Sequence, residues 1–82
     1  MKKFIIVMYN ENRYEVNVKW FYENCIFNDN IPTSEDSIMT DVTNTLTKTY
    51  LESPFVMIRD FKERKVIIKR ERISEIIFLQ ED

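Results

Sequence analysis

An 82-residue chain without a single glycine must build every turn from residues that carry a Cβ. Positive φ is then expected at Asn or Asp, the non-glycine residues that best tolerate left-handed geometry. The same absence removes the loops that let backbone come close to a phosphate, which excludes P-loop and dinucleotide chemistry. Histidine is absent too, and with it go Ser-His and Cys-His nucleophile pairs and His-ligated metal sites.

Residues 13 to 20, RYEVNVKW, alternate with period two: Tyr14, Val16, Val18 and Trp20 share one side and Arg13, Glu15, Asn17 and Lys19 the other. This is the signature of a half-buried strand. Phe4 to Tyr9 is a continuous apolar run of strand length, and Asn10, Glu11 and Asn12 between the two runs suit a hairpin loop. The first twenty residues are therefore expected to form a β-hairpin. Residues 20 to 31, WFYENCIFNDNI, fit a strand by aromatic density and a short helix by the spacing of Trp20, Phe21, Asn24, Cys25 and Phe27, and both readings stand.

PTSED has the signals of a helix start: Pro32, then Thr33 or Ser34 as N-cap, then Glu35 and Asp36 at the positive end of the dipole. Ile38, Val42, Leu46 and Tyr50 recur every four residues with Met39 and Leu51 beside them, which predicts a helix over 34–51. Alternation of Thr43, Thr45, Thr47 and Thr49 supports the alternative, a helix that stops near Thr43 and yields to a strand. Beyond Pro54, Phe55 to Arg59 and Lys65 to Arg70 read as strands joined by DFKER, and Ile73 with Ile76 to Leu79 gives a last short strand. The expected fold is a single small α+β domain spanning 1–82. Its antiparallel sheet has about five strands, in the order β-β-(short element)-α-β-β-β, with one helix packed on one face.

Seven cations and three acids lie between Arg59 and Arg72, a net of +4, whereas the whole chain carries −2. Within the fourth strand, Val66, Ile68 and Arg70 share one side and Lys65, Ile67 and Lys69 the other; with Val66 and Ile68 toward the core, Lys65 and Lys69 flank Ile67 on the open face, and Lys62, Arg64 and Arg72 sit at the turns. Such a face resembles a nucleic-acid surface only superficially, because the strand offers no aromatic platform and the acidic chain, pI about 5.2, opposes long-range attraction.

Hydrophobic content of 44% with 32% charged residues is ordinary globular composition. The longest apolar run is far below a membrane span, and the lysine pair before it is followed by too short a segment for a signal peptide. One cysteine, Cys25, precludes an internal disulfide and fits a reducing compartment, so a cytoplasmic protein is expected. With acidic neighbours Glu23 and Asp29, Cys25 is expected to be chemically quiet. Glu35 and Asp36 are explained by helix capping, Glu81 and Asp82 by the chain end, and residues 28 to 30, NDN, lack the glycine and distal glutamate of a calcium loop. No catalytic, cofactor-binding or metal-ligating residue is expected, and the chain is read as not an enzyme.

What remains is surface chemistry. Three consecutive aromatics, Trp20, Phe21 and Tyr22, cannot all face one core from a strand, which leaves Phe21 at a helix flank or exposed. Together with Lys65, Lys69 and Arg70 they form the candidate partner-binding set, set against two other readings: the aromatics as a wrap-around core cluster, and the cations as the solvated outer face of a strand paired with acids of neighbouring strands. The expectation is a non-enzymatic protein-interaction module. Heavy use of Ile, Asn and Lys matches an AT-rich coding source, and a phage or mobile element carrying a regulator or inhibitor of a host protein fits it. A homodimer is expected, since FIIVMY has neither proline nor inward charge to protect an edge. The alternatives are a nucleic-acid-associated module using residues 59 to 72, and a small-ligand binder at an oligomer interface.

Overall fold

The computed structural model describes residues 2–25, 31–47 and 53–79. Along the chain run β1 (Lys3–Met8), β2 (Arg13–Asn17), α1 (Val18–Asn24), α2 (Glu35–Thr47), β3 (Phe55–Arg59), β4 (Lys65–Lys69), a single 3-10 turn (Arg70–Arg72) and β5 (Ile73–Leu79). The expected α+β class with five antiparallel strands is what forms. In finer detail the strands divide between a three-stranded sheet, β2-β1-β5, and a two-stranded sheet, β3-β4, and the described residues form two helices instead of one. A bridge between Val16 and Asp60, with the Phe61 N–H donating to the Glu15 carbonyl at 3.1 Å, couples the sheets. Strand succession across both is therefore β5-β1-β2-β3-β4.

The first hairpin forms as expected, but β2 ends three residues early. The Asn17 side-chain oxygen accepts the N–H groups of Lys19 at 2.8 Å and Trp20 at 3.4 Å, which caps a helix at the point where the alternation would have continued a strand. Val18 stays buried either way, so the period-two pattern survives the change of backbone. The short element is thus helical over 18–24; residues 26 to 30 lie outside the described part.

Ser34 caps α2: its Oγ accepts from the Ser37 N–H at 3.4 Å and its carbonyl from the Ile38 N–H at 3.2 Å. Ile38, Val42 and Leu46 are buried as the four-residue stripe requires, whereas Met39 is exposed beside them. The threonines do not break the helix before Thr47. The Thr47 hydroxyl donates to the Thr43 carbonyl at 2.6 Å, a bond within the helix that satisfies the side chain without competing for strand geometry. Thr49, Tyr50 and Leu51 lie outside the described residues.

The core lies between the inward faces of the two sheets and the helices. Phe4, Ile6 and Val16 meet Val56, Ile58 and Ile68 there, closed over by Phe21 and Tyr22 of α1 and by the α2 stripe. β1 is central, with Phe4 opposite Val16 on one side and Phe78 on the other. Both edges of FIIVMY are paired, so the unprotected-edge argument for a homodimer does not apply to it.

Among the described residues positive φ falls at Glu11 (70°) and Glu63 (62°), and at no Asn or Asp. Both sites have the same architecture. Glu11 N–H donates to the Met8 carbonyl and Met8 N–H to Asn12, both at 2.9 Å; Glu63 N–H donates to Asp60 at 2.9 Å and Asp60 N–H to Arg64 at 3.1 Å. Each is a three-residue hairpin loop whose left-handed position is the one glycine usually fills. An Asx residue ahead of each left-handed position serves as an acceptor, Asn10 within the first loop and Asp60 flanking the second: Asn10 Oδ1 takes the Asn12 N–H, and Asp60 Oδ1 takes those of Lys62 and Arg64 at 2.9 Å each. Asp60 also receives the Arg64 guanidinium at 2.8 and 2.7 Å. Burial would raise its carboxyl, but the Arg64 backbone and side-chain hydrogen bonds, the Arg64 charge and the Lys62 N–H outweigh it and hold the group below its ordinary value. Substituting Glu63→Gly relieves the left-handed cost, about 1 kcal/mol, against some added freedom in the unfolded chain. Urea denaturation of this variant is expected to show a gain of about 0.5 kcal/mol.

Candidate functional site

β3 and β4 are joined by the second of these turns, and its register decides which side chains share a face. Phe55 lies opposite Lys69, Met57 opposite Ile67 and Arg59 opposite Lys65. Val56, Ile58 and Ile68 point into the core with half-buried Val66. The sequence-derived placement of Lys65, Ile67 and Lys69 on the open side is correct. Its neighbours were missed: Phe55, Met57 and Arg59 project from β3 onto the same face. Ile67 is 70% exposed, Phe55 49% and Met57 48%, an apolar trio with Arg59 and Lys65 at one end and Lys69 at the other. Phe55 supplies the aromatic ring that the fourth strand alone lacks.

The candidate cations are not equivalent. Lys69 Nζ pairs with Glu71 at 2.9 Å, and that hydrogen bond, the lysine charge and Arg72 hold the Glu71 carboxyl below its ordinary value. Arg70 does not belong to the face, in line with its alternation with Val66 and Ile68. In the 3-10 turn it reaches inward, donating from Nε to the Thr45 carbonyl at 3.0 Å and from Nη1 to the Ser53 carbonyl. It therefore ties the last turn of α2 to the segment leading into β3.

The aromatic trio is split as well. Phe21 and Tyr22 are fully buried, because adjacent residues of a helix diverge by about 100° and both can reach one core, as adjacent residues of a strand cannot. Phe21 stands edge-on to Phe4 with ring centroids 5.3 Å apart. The Tyr22 hydroxyl donates to Asp41 Oδ2 at 2.7 Å, joining α1 to α2. Burial, that bond and the Asp41 charge push the phenol well above its ordinary range. Neither ring is available to a partner. Trp20 alone of the three is half-buried at the surface, where it lines a shallow groove with Lys19, Glu23, Arg59 and the exposed Phe61. Arg59 joins this groove to the outward face of β3 and β4.

Cys25, at the end of α1, is half-buried with Sγ 3.5 Å from the Met57 carbonyl. Burial pushes the thiol up to about 11, only partly opposed by the charge of Arg70. Thiolate is then scarce at neutral pH, and alkylation of the native protein at pH 7 is expected to run about a hundredfold slower than that of the unfolded chain.

Among the described residues no group of three or more Cys, Asp and Glu side chains could hold a metal ion, and no helix is long and apolar enough to cross a membrane. No protein family, curated protein or solved structure matches the chain. The class defined by the fold is a small α+β domain with one apolar, cation-rimmed sheet face.

Proposed function

We propose that the chain is a non-enzymatic module that binds another protein through the outward face of β3 and β4, and regulates or inhibits that protein by occupying its surface. The observation that carries this reading is the exposed row of Phe55, Met57 and Ile67 set between cations. An apolar centre with a polar rim is the anatomy of a recognition patch. The rim specifies the partner's chemistry: an apolar surface edged with Asp and Glu, which would meet Arg59, Lys65 and Lys69. A second copy placed face to face would set these three cations against three more, so the charge favours a different protein over self-association.

A nucleic-acid reading gains from Phe55 lying beside Lys69, since single strands bind by stacking next to cations. It is disfavoured by the net charge of −2 and by having one ring on the face. The test is quantitative capture from the cells that express the protein, comparing wild type, Ile67→Glu and, as a control on the solvent side of α2, Thr40→Glu. Because Ile67 is so exposed, its variant is expected to keep stability within about 0.5 kcal/mol. It should lose a specific protein partner by about tenfold or more, with the control unchanged. A retained partner would overturn the reading, as would retention of nucleic acid alone with a steep salt dependence.

A further inference from the structure

The backbone of β4 carries a second recognition element at its outer edge. Bonds from Arg70 N–H to the Pro54 carbonyl and from Asp60 N–H to Arg64 bracket the β3-β4 ladder. Hydrogen-bonded pairs alternate in an antiparallel ladder, so between these brackets residue 56 bonds 68 and 58 bonds 66. The Cys25 thiol meeting the Met57 carbonyl from the far side agrees, since odd-numbered residues of β3 then point away from β4. Lys65, Ile67 and Lys69 must accordingly turn their N–H and C=O groups outward from β4. Among the described residues no strand pairs with that edge. Beside it runs a groove lined by Met8, Tyr9 and Tyr14 of the first hairpin, which Ile67 and Lys69 also border.

Resting on the protein-binding reading, we infer that β4 accepts an extended segment of the partner by strand addition, the segment placing acidic residues opposite Lys65 and Lys69 and an apolar residue opposite Ile67. Strand addition draws affinity from main-chain bonds and selectivity from alternate side chains. Here the alternation is legible. Side chains on the outward side of the added strand meet Lys65, Ile67 and Lys69, and those on the other side enter the groove against Met8, Tyr9 and Tyr14. A second copy is a poor occupant: antiparallel pairing of two β4 edges about Ile67 sets Lys65 opposite Lys69 at both ends, and like charges directly opposite destabilise a sheet.

The probe is the peptide acetyl-Ser-Glu-Leu-Val-Leu-Glu-Ser-amide, compared with its analogue carrying Lys for both Glu, and read by amide hydrogen exchange on isotopically labelled protein. The acidic peptide is expected to slow exchange at Lys65, Ile67 and Lys69 by about tenfold or more, and the lysine analogue to bind about tenfold more weakly. In the double variant Lys65→Glu with Lys69→Glu the preference should reverse. Equal binding of both peptides, or no binding, overturns the inference. If the peptide shifts only resonances of Phe55 and Met57 and leaves the three amides unprotected, the edge is not the site. Face recognition then survives, provided that Ile67→Glu still abolishes partner capture.

Discussion

Phe21→Ala is expected to destabilise the fold by about 3–5 kcal/mol, the range for removing a fully buried phenyl ring. The ring is completely enclosed, packs edge-on against Phe4, and its centroid lies 6.3 Å from that of Tyr22. Natural domains of this length are stable by only about 4–12 kcal/mol, so the loss consumes a large share of what holds the chain folded. Urea titration followed by the fluorescence of Trp20, the chain's single tryptophan and the residue just before Phe21, should show the midpoint falling sharply. A loss below about 1 kcal/mol would mean that α1 is a surface strap and that WFY is free to anchor a partner.

Arg70→Met is expected to cost about 2 kcal/mol, since hydrogen bonds from a charged donor contribute more than neutral ones and two carbonyls lose their partner. One of these, Thr45, belongs to the last described turn of α2, so the bond ties that turn to the segment leading into β3. Lys65→Met, on the exposed face, should change stability by no more than about 0.5 kcal/mol. Thermal denaturation of the two variants side by side reads the contrast. If both changes are equally mild, Arg70 is a surface cation after all and rejoins the candidate face.

Much of the fold was legible because it rests on periodicity. The strands could be read from Tyr14 and Val16, from Val56 and Ile58 and from the apolar run of β1, and the helix from Ile38, Val42 and Leu46. Boundaries failed where one side chain changed the backbone: the Asn17 cap turned strand into helix, and that turn put Phe21 and Tyr22 into the core together. Glutamate at both left-handed positions was invisible; an Asx residue ahead of each serves as an acceptor instead. The site was half legible. Lys65, Ile67 and Lys69 are consecutive alternate residues of one strand, but recognising Phe55, Met57 and Arg59 as their neighbours requires the cross-strand register, which the turn at Asp60 sets. The run FVMIR, four apolar residues in succession, carries no alternation that would tell which of them face outward. Arg70 shares its side of the alternation with Val66 and Ile68, which already points it inward; it was grouped with Lys65 and Lys69 by charge alone, and nothing local announces the 3-10 turn that ends the strand at Lys69.

Binding through the outward face of β3 and β4 is tested most directly by a photo-reactive benzoylphenylalanine placed at Phe55, with the same group at exposed Thr40 of α2 as the control position. Irradiated in the cells that express the protein, the Phe55 variant is expected to give a discrete cross-linked species containing a second, different polypeptide, lost on adding Ile67→Glu and absent from the Thr40 variant. Cross-links only between copies of the chain, only to nucleic acid, or equally from both positions would contradict the account.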